Sequence, residues 1–198
     1  EGGVNTSVQA NPDLVFLRGD STHPNEVYTA KRHGSEMIAL TAHNTLLRAQ
    51  LDLPRAEGFT FAGADGDRVG GWLVRPPGFD PAKTYPVVFL IHGGPATHDR
   101  DLADSRVDVL CDAGYAVVRT NYRGSTGYGS RWQHDFGHRV GLAQIEDLAA
   151  VREHLLAEGL ADERRIAVYG YSWGGYLALL ASGVQPGLWS AGIAVYPI

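Results

Sequence analysis

The sequence predicts an α/β protein with a mostly parallel sheet, and three observations support this fold class. From Pro86 onward, apolar strand-like runs alternate with runs of helix formers, the pattern of a parallel sheet covered by helices on both faces. Residues 87–91 are all apolar, so both faces of that strand should be buried. Around Ser172, a short apolar run with β-branched residues passes through a glycine-rich turn into a helix-forming run.

The region before residue 53 is predicted to be β-structure. Three short strand-like runs recur there at a spacing of about ten residues, which is typical of a meander or of a propeller blade. Histidines in or beside the intervening turns lack regular spacing and cysteine partners, so solvated turn residues are favoured over a metal site. The strand-like runs are residues 14–17, 26–30 and 37–41.

Residues 51–55 indicate a linker, and a β-hairpin is expected after it. Asp65-Gly66-Asp67 separates the strand-like runs 58–62 and 69–74, and Asp-Gly between two such runs is a hairpin signal. Pro76-Pro77-Gly78 then ends the second strand.

Helices and strands alternate in the part that follows residues 87–91. Gly114 and Gly159 each come directly after a helix-forming run, where glycine commonly ends a helix. The expected elements are helices over 102–113, 143–158 and 176–181, and strands over 115–119, 165–169 and 191–196.

The glycine-rich turn Gly170-Tyr171-Ser172-Trp173-Gly174-Gly175 carries the strongest functional signal. It reads Gly-x-Ser-x-Gly between a strand and a helix, the context in which this pattern marks a nucleophilic serine. Side chains in place of Gly170 and Gly174 are expected to collide with neighbouring backbone. The helix N-terminus behind Ser172 favours a developing negative charge. Ser172 is therefore the predicted nucleophile, and the alternative is a glycine-rich turn with an incidental serine.

A second signal, His92-Gly93-Gly94-Pro95, follows directly on the apolar strand. In hydrolases with such a serine turn, a glycine-rich loop after the third strand supplies one backbone N–H to the oxyanion hole, and the residue after the serine supplies the other. The predicted donors are the N–H groups of Gly94 (or Gly93) and Trp173. His92 is interpreted as a histidine that orients the loop. The alternative is a tight loop without a ligand.

The third signal is the loop Asn121-Tyr122-Arg123-Gly124-Ser125-Thr126-Gly127-Tyr128-Gly129. Glycines at this density indicate special backbone angles, and the position after a strand places the loop at the edge where open α/β sheets bind ligands. A phosphate-binding loop is the alternative, but the Lys-Ser/Thr ending of such loops is missing.

Composition excludes several classes of function. A net charge of −5, with no cluster of Lys or Arg, gives no basic surface for nucleic acid. The single cysteine, Cys111, rules out an internal disulfide framework and is expected to be a buried thiol. No apolar run reaches membrane-spanning length and no signal peptide opens the chain, so a soluble, cytoplasmic protein is expected.

The three motifs, in this order, resemble the prolyl oligopeptidase family of serine peptidases, and within it the acylaminoacyl peptidases. The lead-in Gly66-Asp67-Arg68-Val69-Gly70-Gly71-Trp72-Leu73 fits as well. The resemblance implies an α/β-hydrolase domain capped by a β-propeller that restricts access to short peptides. Residues 1–52 would be a meander at the end of the propeller, and residues 53–198 the N-terminal part of the hydrolase domain.

The resemblance also implies site residues and partners. It carries over Ser172 as the nucleophile and the N–H groups of Trp173 and Gly94 as oxyanion donors, with the Tyr128 hydroxyl as a secondary donor. A short peptide or N-acylated peptide is the expected substrate, and the remainder of the hydrolase and propeller domains is an expected partner. Association with further copies of the chain stays open. No cofactor, metal, nucleic acid or membrane partner is expected.

The sequence departs from this pattern in one respect. The triad of this fold runs in the order Ser, then Asp or Glu, then His, yet no Asp, Glu or His follows Ser172. The chain is therefore expected to be a fragment whose hydrolase domain is incomplete at the C-terminus, and to be inactive alone. The upstream histidines, which would approach Ser172 from the wrong side of the expected topology, are His92, His98, His134 and His138.

Two alternative functions remain open at this point. A carboxylesterase or lipase shares the serine turn and the His-Gly-Gly loop, although the β-meander and the loop 121–129 favour the peptidase. A non-catalytic scaffold protein would keep the fold and lose the triad. The complete motifs argue against a scaffold, whereas the missing acid and base are what a scaffold would predict.

Overall fold

The computed structural model describes residues 3–9 (backbone only), 13–63, 66–134 and 138–198. The chain divides into two compact units. The first unit comprises Glu1–Ala56 and Arg100–Val109, and the second comprises Glu57–Asp99 and Leu110–Ile198.

The first unit contains a four-stranded antiparallel sheet in which neighbours in the chain are neighbours in the sheet. The first two predicted strands lie within β2 and β3, so the predicted meander is confirmed for them. The elements are β1 (Gly3–Gln9), β2 (Asp13–Asp20), β3 (His23–Lys31), β4 (Ile38–Ala39) and the helix α1 (Thr45–Gln50).

Two expectations for this region were wrong. The strand predicted over 37–41 is reduced to the two residues of β4, because the Thr41 hydroxyl accepts the Val27 N–H at 2.9 Å where a ladder would use a backbone carbonyl. The same hydroxyl donates to the Glu26 carboxylate. The helix α1 was not predicted. All of the region before residue 53 was expected to be β-structure, although the segment of α1 contains good helix formers.

The second unit contains a six-stranded mixed sheet in the order β10-β9-β7-β8-β6-β5. Strands β10, β9, β7 and β8 are parallel, and β6 is antiparallel to β8, so the predicted α/β fold class is confirmed. The elements from residue 56 onward are β5 (Ala56–Ala62), β6 (Arg68–Val74), β7 (Tyr85–Ile91), α2 (Ser105–Asp112), β8 (Ala116–Asn121), α3 (Ser130–His134), α4 (Leu142–Ala157), β9 (Ala161–Tyr171), α5 (Trp173–Val184) and β10 (Ala191–Val195).

The core of the second unit is built from the central strands and two helices. Residues 87–91 of β7 are buried, as a fully apolar strand requires, and all six residues of β8 are buried as well. Leu148 of α4 and Leu177 of α5 are fully buried in the same cluster. Burying each such side chain contributes roughly 1.5–3 kcal/mol, so this packing fixes α5 against the sheet.

Helix and hairpin boundaries complete the comparison with the sequence. Gly114 and Gly159 have φ of +87° and +72°, which confirms both as helix-ending glycines. Helix α2 begins three residues later than predicted, because the Asp104 carboxylate accepts the Arg106 N–H at 3.0 Å and caps the first turn. The predicted hairpin turn falls partly outside the described residues, since Asp65 is among those not described. Within the described ranges, no helix is long and apolar enough to span a bilayer.

Candidate active site

Ser172 lies on a sharp turn between β9 and α5. Its backbone has φ +56° and ψ −120°, a conformation that side-chain-bearing residues seldom adopt. The Ser172 N–H donates to the Val195 carbonyl at 3.0 Å, and its own carbonyl accepts the Tyr176 N–H at 3.0 Å. Both sides of the turn are thus held by hydrogen bonds, and the serine backbone between them is strained.

Glycines make this turn possible. A Cβ on Gly170 would lie 1.9 Å from the Gly174 carbonyl oxygen, and one on Gly174 would lie 2.0 Å from the Ile91 carbonyl oxygen. A Cβ on Gly175 would approach the Val195 carbonyl oxygen to 3.0 Å. The expected backbone collisions are therefore confirmed for Gly170 and Gly174, since no side chain can be accommodated at those distances.

The glycine-rich loop after β7 meets the serine turn. A Cβ on Gly93 would lie 3.2 Å from the Tyr171 carbonyl oxygen and 3.4 Å from Ser172 Cβ, so the loop is in contact with the turn. Gly94, the next residue, has φ +121°. Trp173 is the first residue of α5, and an N–H in the first turn of a helix has no acceptor within the helix. Gly93 and Trp173 therefore lie on backbone that adjoins Ser172, and Gly94 follows Gly93 in the same loop.

His92 lies partly buried behind this loop. Its Nδ1 is 2.8 Å from the Gly93 carbonyl oxygen and its Nε2 is 3.0 Å from Ser125 Oγ. The ring stacks on Tyr122, whose hydroxyl donates to the His92 carbonyl at 2.7 Å. Burial lowers the pKa of His92 to about 4, aided by the nearby His98 and opposed by the Gly93 hydrogen bond. Both ring nitrogens are engaged, which supports the interpretation of His92 as a loop-orienting residue.

The loop 121–129 is tied to the chain that follows His92. The Asn121 side chain accepts the Asp99 N–H at 2.7 Å and donates to the Asp99 carbonyl at 3.1 Å. The Thr126 N–H donates to the Thr97 carbonyl at 2.9 Å, and His98 Nδ1 lies 2.8 Å from Thr126 Oγ1. The two loops at this edge of the sheet are therefore cross-linked by side chains as well as by backbone.

A buried ion pair anchors the same loop, and no sequence motif indicated it. The Arg123 guanidinium donates to the Asp147 carboxylate at 2.7 and 3.0 Å, and the Arg123 N–H donates to it at 2.9 Å. The Asp147 side chain is fully buried and that of Arg123 is 9% exposed. Gln144 Nε2 donates to the Arg123 carbonyl at 3.1 Å, so α4 holds the loop through two side chains.

Tyr128 is placed on the β6 side of this loop. Its hydroxyl accepts from Asn121 Nδ2 at 2.8 Å, and its ring centroid lies 6.4 Å from that of Trp132. A Cβ on Gly70 would lie 3.1 Å from the Tyr128 hydroxyl. Among the described residues, none of its hydrogen bonds or ring contacts is with the Ser172 turn. The structure thus brings Gly93 to Ser172 and places Tyr128 elsewhere.

Two further observations concern the histidines and metals. His134 ends α3, and its spacing to His138 crosses residues 135–137, which lie outside the described residues. Within the described part of the chain, no group of three or more His, Cys, Asp or Glu side chains is placed to hold a metal ion.

Comparison with known proteins adds a family and a set of relatives. Residues 101–198 match the model of the prolyl oligopeptidase family. Over 78% of its own length, the chain is 34% identical to an uncharacterized peptidase, YuxL, of Bacillus subtilis. It covers 23% of the length of that peptidase. It is 33% identical over 82% of its length to dipeptidyl-peptidase 5 of Arthroderma benhamiae, also covering 23%. The chain therefore spans about a quarter of the length of these relatives.

Solved structures show the same relation. The structure of an acylaminoacyl peptidase from Pyrococcus horikoshii matches with a TM-score of 0.87 and 28% identity, over 100% of this chain and 31% of that one. A puromycin-hydrolyzing peptidase from Mycobacterium tuberculosis matches with a TM-score of 0.82 and 26% identity, over 94% of this chain and 30% of that one. These similarities support the α/β-hydrolase fold predicted from the sequence.

Proposed function

Because the chain belongs to the prolyl oligopeptidase family, we propose that it carries the nucleophile of a serine peptidase that cleaves short peptides through an acyl-enzyme at Ser172. The observation that carries this proposal is the backbone of Ser172, at φ +56° between a strand and a helix, with Gly93 in contact. A positive φ at a residue other than glycine destabilises a fold, so strain retained at this position supports a functional role.

In the proposed reaction, Ser172 Oγ bonds to the carbonyl carbon of a peptide, and the carbonyl oxygen takes up negative charge. The N–H groups of Trp173 and Gly94 donate to this oxyanion, with Gly93 as the alternative donor. The Tyr128 hydroxyl, which lies against Asn121, is left out of this role. Losing one such donor typically costs about 3 kcal/mol of transition-state stabilisation. The C–N bond then breaks, the amine leaves with a proton, and water hydrolyses the acyl ester.

The proton on Ser172 needs a base, and the base needs an acid to orient it. No Asp, Glu or His follows Ser172 in the 198 residues, and the neutral His92 already has both ring nitrogens engaged. We propose that the base and the acid come from outside these residues, and that these residues alone hydrolyse no substrate. Mixing them with a chain that supplies the remainder of the domain should restore turnover.

A short or N-acylated peptide is the proposed substrate. It is supported by the similarity of the whole chain to acylaminoacyl peptidases and by curated relatives that are named as peptidases. The remainder of a hydrolase domain and a propeller domain are the proposed partners within the same protein. A cytoplasmic location and association with further copies of the chain stay predictions.

Substrate comparison tests this proposal against its two rivals. In the protein together with the segment that supplies the base and acid, an acyl-aminoacyl-anilide should be cleaved, and Ser172→Ala should reduce turnover at least about 1,000-fold. The control variant Ser35→Ala changes an exposed serine and should leave turnover unchanged. Hydrolysis of short-chain esters alone would favour a carboxylesterase. No turnover of either substrate would favour a scaffold.

A further inference from the structure

A cavity of about 300 Å³ opens beside Tyr128 in the second unit. Its volume is at the lower end of the range for sites that bind small molecules. Three arginines and two aromatic side chains dominate its lining, an unusual concentration in a chain whose net charge is negative. The lining residues are Asp67, Arg68, Arg123, Tyr128, Arg131 and Trp132.

Ion pairs engage two of the three arginines that line this cavity, which we call the arginine pocket. Arg123 is paired with the buried Asp147, and Arg131 lies 3.2 Å from the Asp67 carboxylate. Arg68 is exposed, and its guanidinium has no ion pair or hydrogen bond within the described residues. Within the described residues, Arg68 is thus the lining guanidinium that is left to bind a negatively charged ligand.

The wall of the pocket contains a hydrogen-bond donor without an acceptor. Trp132 is 8% exposed, and its indole Nε1 has no hydrogen-bond partner in the described part of the chain. Buried indole N–H groups usually have a partner, and this one is covered by protein atoms, so its ¹⁵N–¹H signal is a reporter for a ligand that contacts the ring from the pocket. The Arg123 guanidinium lies 5.9 Å from the centre of the Trp132 ring, so the charged groups and this wall are in contact.

The pocket lies at the same edge of the sheet as the serine turn. Gly70 of β6 pairs with Asn121 of β8, so the residues that precede β6 meet the loop that follows β8. In the strand order β9-β7-β8-β6, a spacing of about 4.8 Å places a pocket between β8 and β6 about 12 Å from the end of β9. An extended peptide advances about 3.3 Å per residue, so about 12 Å corresponds to three or four residues.

We propose that the arginine pocket is a subsite for a carboxylate that lies three or four residues from the scissile bond of a peptide substrate. The carboxylate is either an acidic side chain or the C-terminus of the peptide. That the ligand is a peptide substrate rests on the proposed function. Arginine forks match the planar carboxylate in two parallel hydrogen bonds, and the rings of Tyr128 and Trp132 offer an apolar wall to the adjoining chain.

Direct binding tests the pocket without using turnover. Indole ¹⁵N–¹H signals of the protein are titrated with N-acetylaspartate N-methylamide, which has a single side-chain carboxylate, and with its neutral isostere N-acetylasparagine N-methylamide. The Trp132 signal is assigned with Trp132→Phe. The Trp132 signal should shift saturably with the aspartate and not with the asparagine. An equal response to both compounds would overturn the proposal.

Matched variants separate the pocket from general charge. Arg68→Gln and Arg131→Gln should each weaken binding of N-acetylaspartate N-methylamide about threefold to tenfold, since both groups are exposed enough to leave the fold intact. Arg164→Gln removes an exposed arginine near the start of β9, at the opposite end of the strands, and should leave binding unchanged. Equal weakening by Arg164→Gln would contradict the proposal.

Kinetics then distinguish the two sources of the carboxylate. In a peptide series where a single Glu replaces Gln at successive positions, the KM should fall at one position, and Arg68→Gln should remove that effect with kcat unchanged. If the C-terminus is the ligand, amidating it should raise the KM instead. Cleavage without either preference would overturn the subsite and leave the proposed function standing. Binding at Trp132 without any peptide cleavage would uphold an anion pocket and contradict the proposed function.

Discussion

The Ser172 turn and the loop 121–129 lie at the same edge of the sheet but are held in different ways. The turn is shaped by glycines whose nearest neighbours are backbone atoms, as at Gly174, so its geometry is set locally. The loop depends on side chains from distant parts of the chain, above all Asp147 and Asn121. A substitution in the turn should therefore act through steric collision, whereas one in the loop should leave a buried polar group without its partner.

The largest effect is expected in the turn. Gly174→Ala places a Cβ 2.0 Å from the Ile91 carbonyl oxygen, a backbone atom that cannot move aside, and should lower the free energy of unfolding by about 4 kcal/mol. Urea denaturation measures the change. Gly183→Ala is the matched control, because its Cβ would meet no atom within 4 Å and alanine favours the helix α5. A control as destabilised as Gly174→Ala would show that steric collision is not the cause.

The next effect is expected in the loop. Asp147→Asn removes the charge of the buried carboxylate that pairs with Arg123 and should lower the free energy of unfolding by about 3 kcal/mol. The double variant Asp147→Leu/Arg123→Met removes both charges and should recover most of that loss. Lys83→Gln disrupts an exposed pair with Asp80 and should cost less than about 1 kcal/mol. Equal losses in the single and double variants would mean that shape, and not charge, holds the loop.

The His92 cluster joins the two regions and should respond to pH. Its folded pKa of about 4 lies below the ordinary value of 6.5, so the unfolded chain binds the proton more readily as pH falls below 6.5. Stability should therefore decline between pH 6.5 and about 4, by about 2 kcal/mol at pH 5 relative to pH 7. Denaturation at both pH values, in the wild type and in His92→Gln, isolates this contribution. A pH dependence that is unchanged in His92→Gln would refute the assignment to His92.

The smallest effect concerns the hydrogen bond that orients the same imidazole. Ser125→Ala removes the hydroxyl 3.0 Å from His92 Nε2 and should lower the free energy of unfolding by about 1 kcal/mol. The ¹⁵N chemical shifts of the His92 ring should show a proton on Nδ1 in the wild type and a mixture of tautomers in the variant. A proton on Nε2 in the wild type would contradict donation from His92 Nδ1 to the Gly93 carbonyl.

The same contrast explains what the sequence could predict. Strand, turn and helix around Ser172 follow from local pattern and glycine placement, so both the fold class and the collisions at Gly170 and Gly174 were predicted correctly. The Arg123–Asp147 pair and the arginine pocket join residues far apart in the chain, for which a single sequence provides no signal. The roles of the site residues and the boundary between the predicted domains remain predictions.

The central claim is that Ser172 is a nucleophile activated by a base and an acid from outside these 198 residues. Intact-mass spectrometry of the native protein after reaction with a fluorophosphonate serine probe tests it most directly. The account predicts a mass larger than that of these residues, with a single adduct on the peptide that contains Ser172 and none in Ser172→Ala. A mass that matches these residues alone, or an adduct on any other serine, would contradict it.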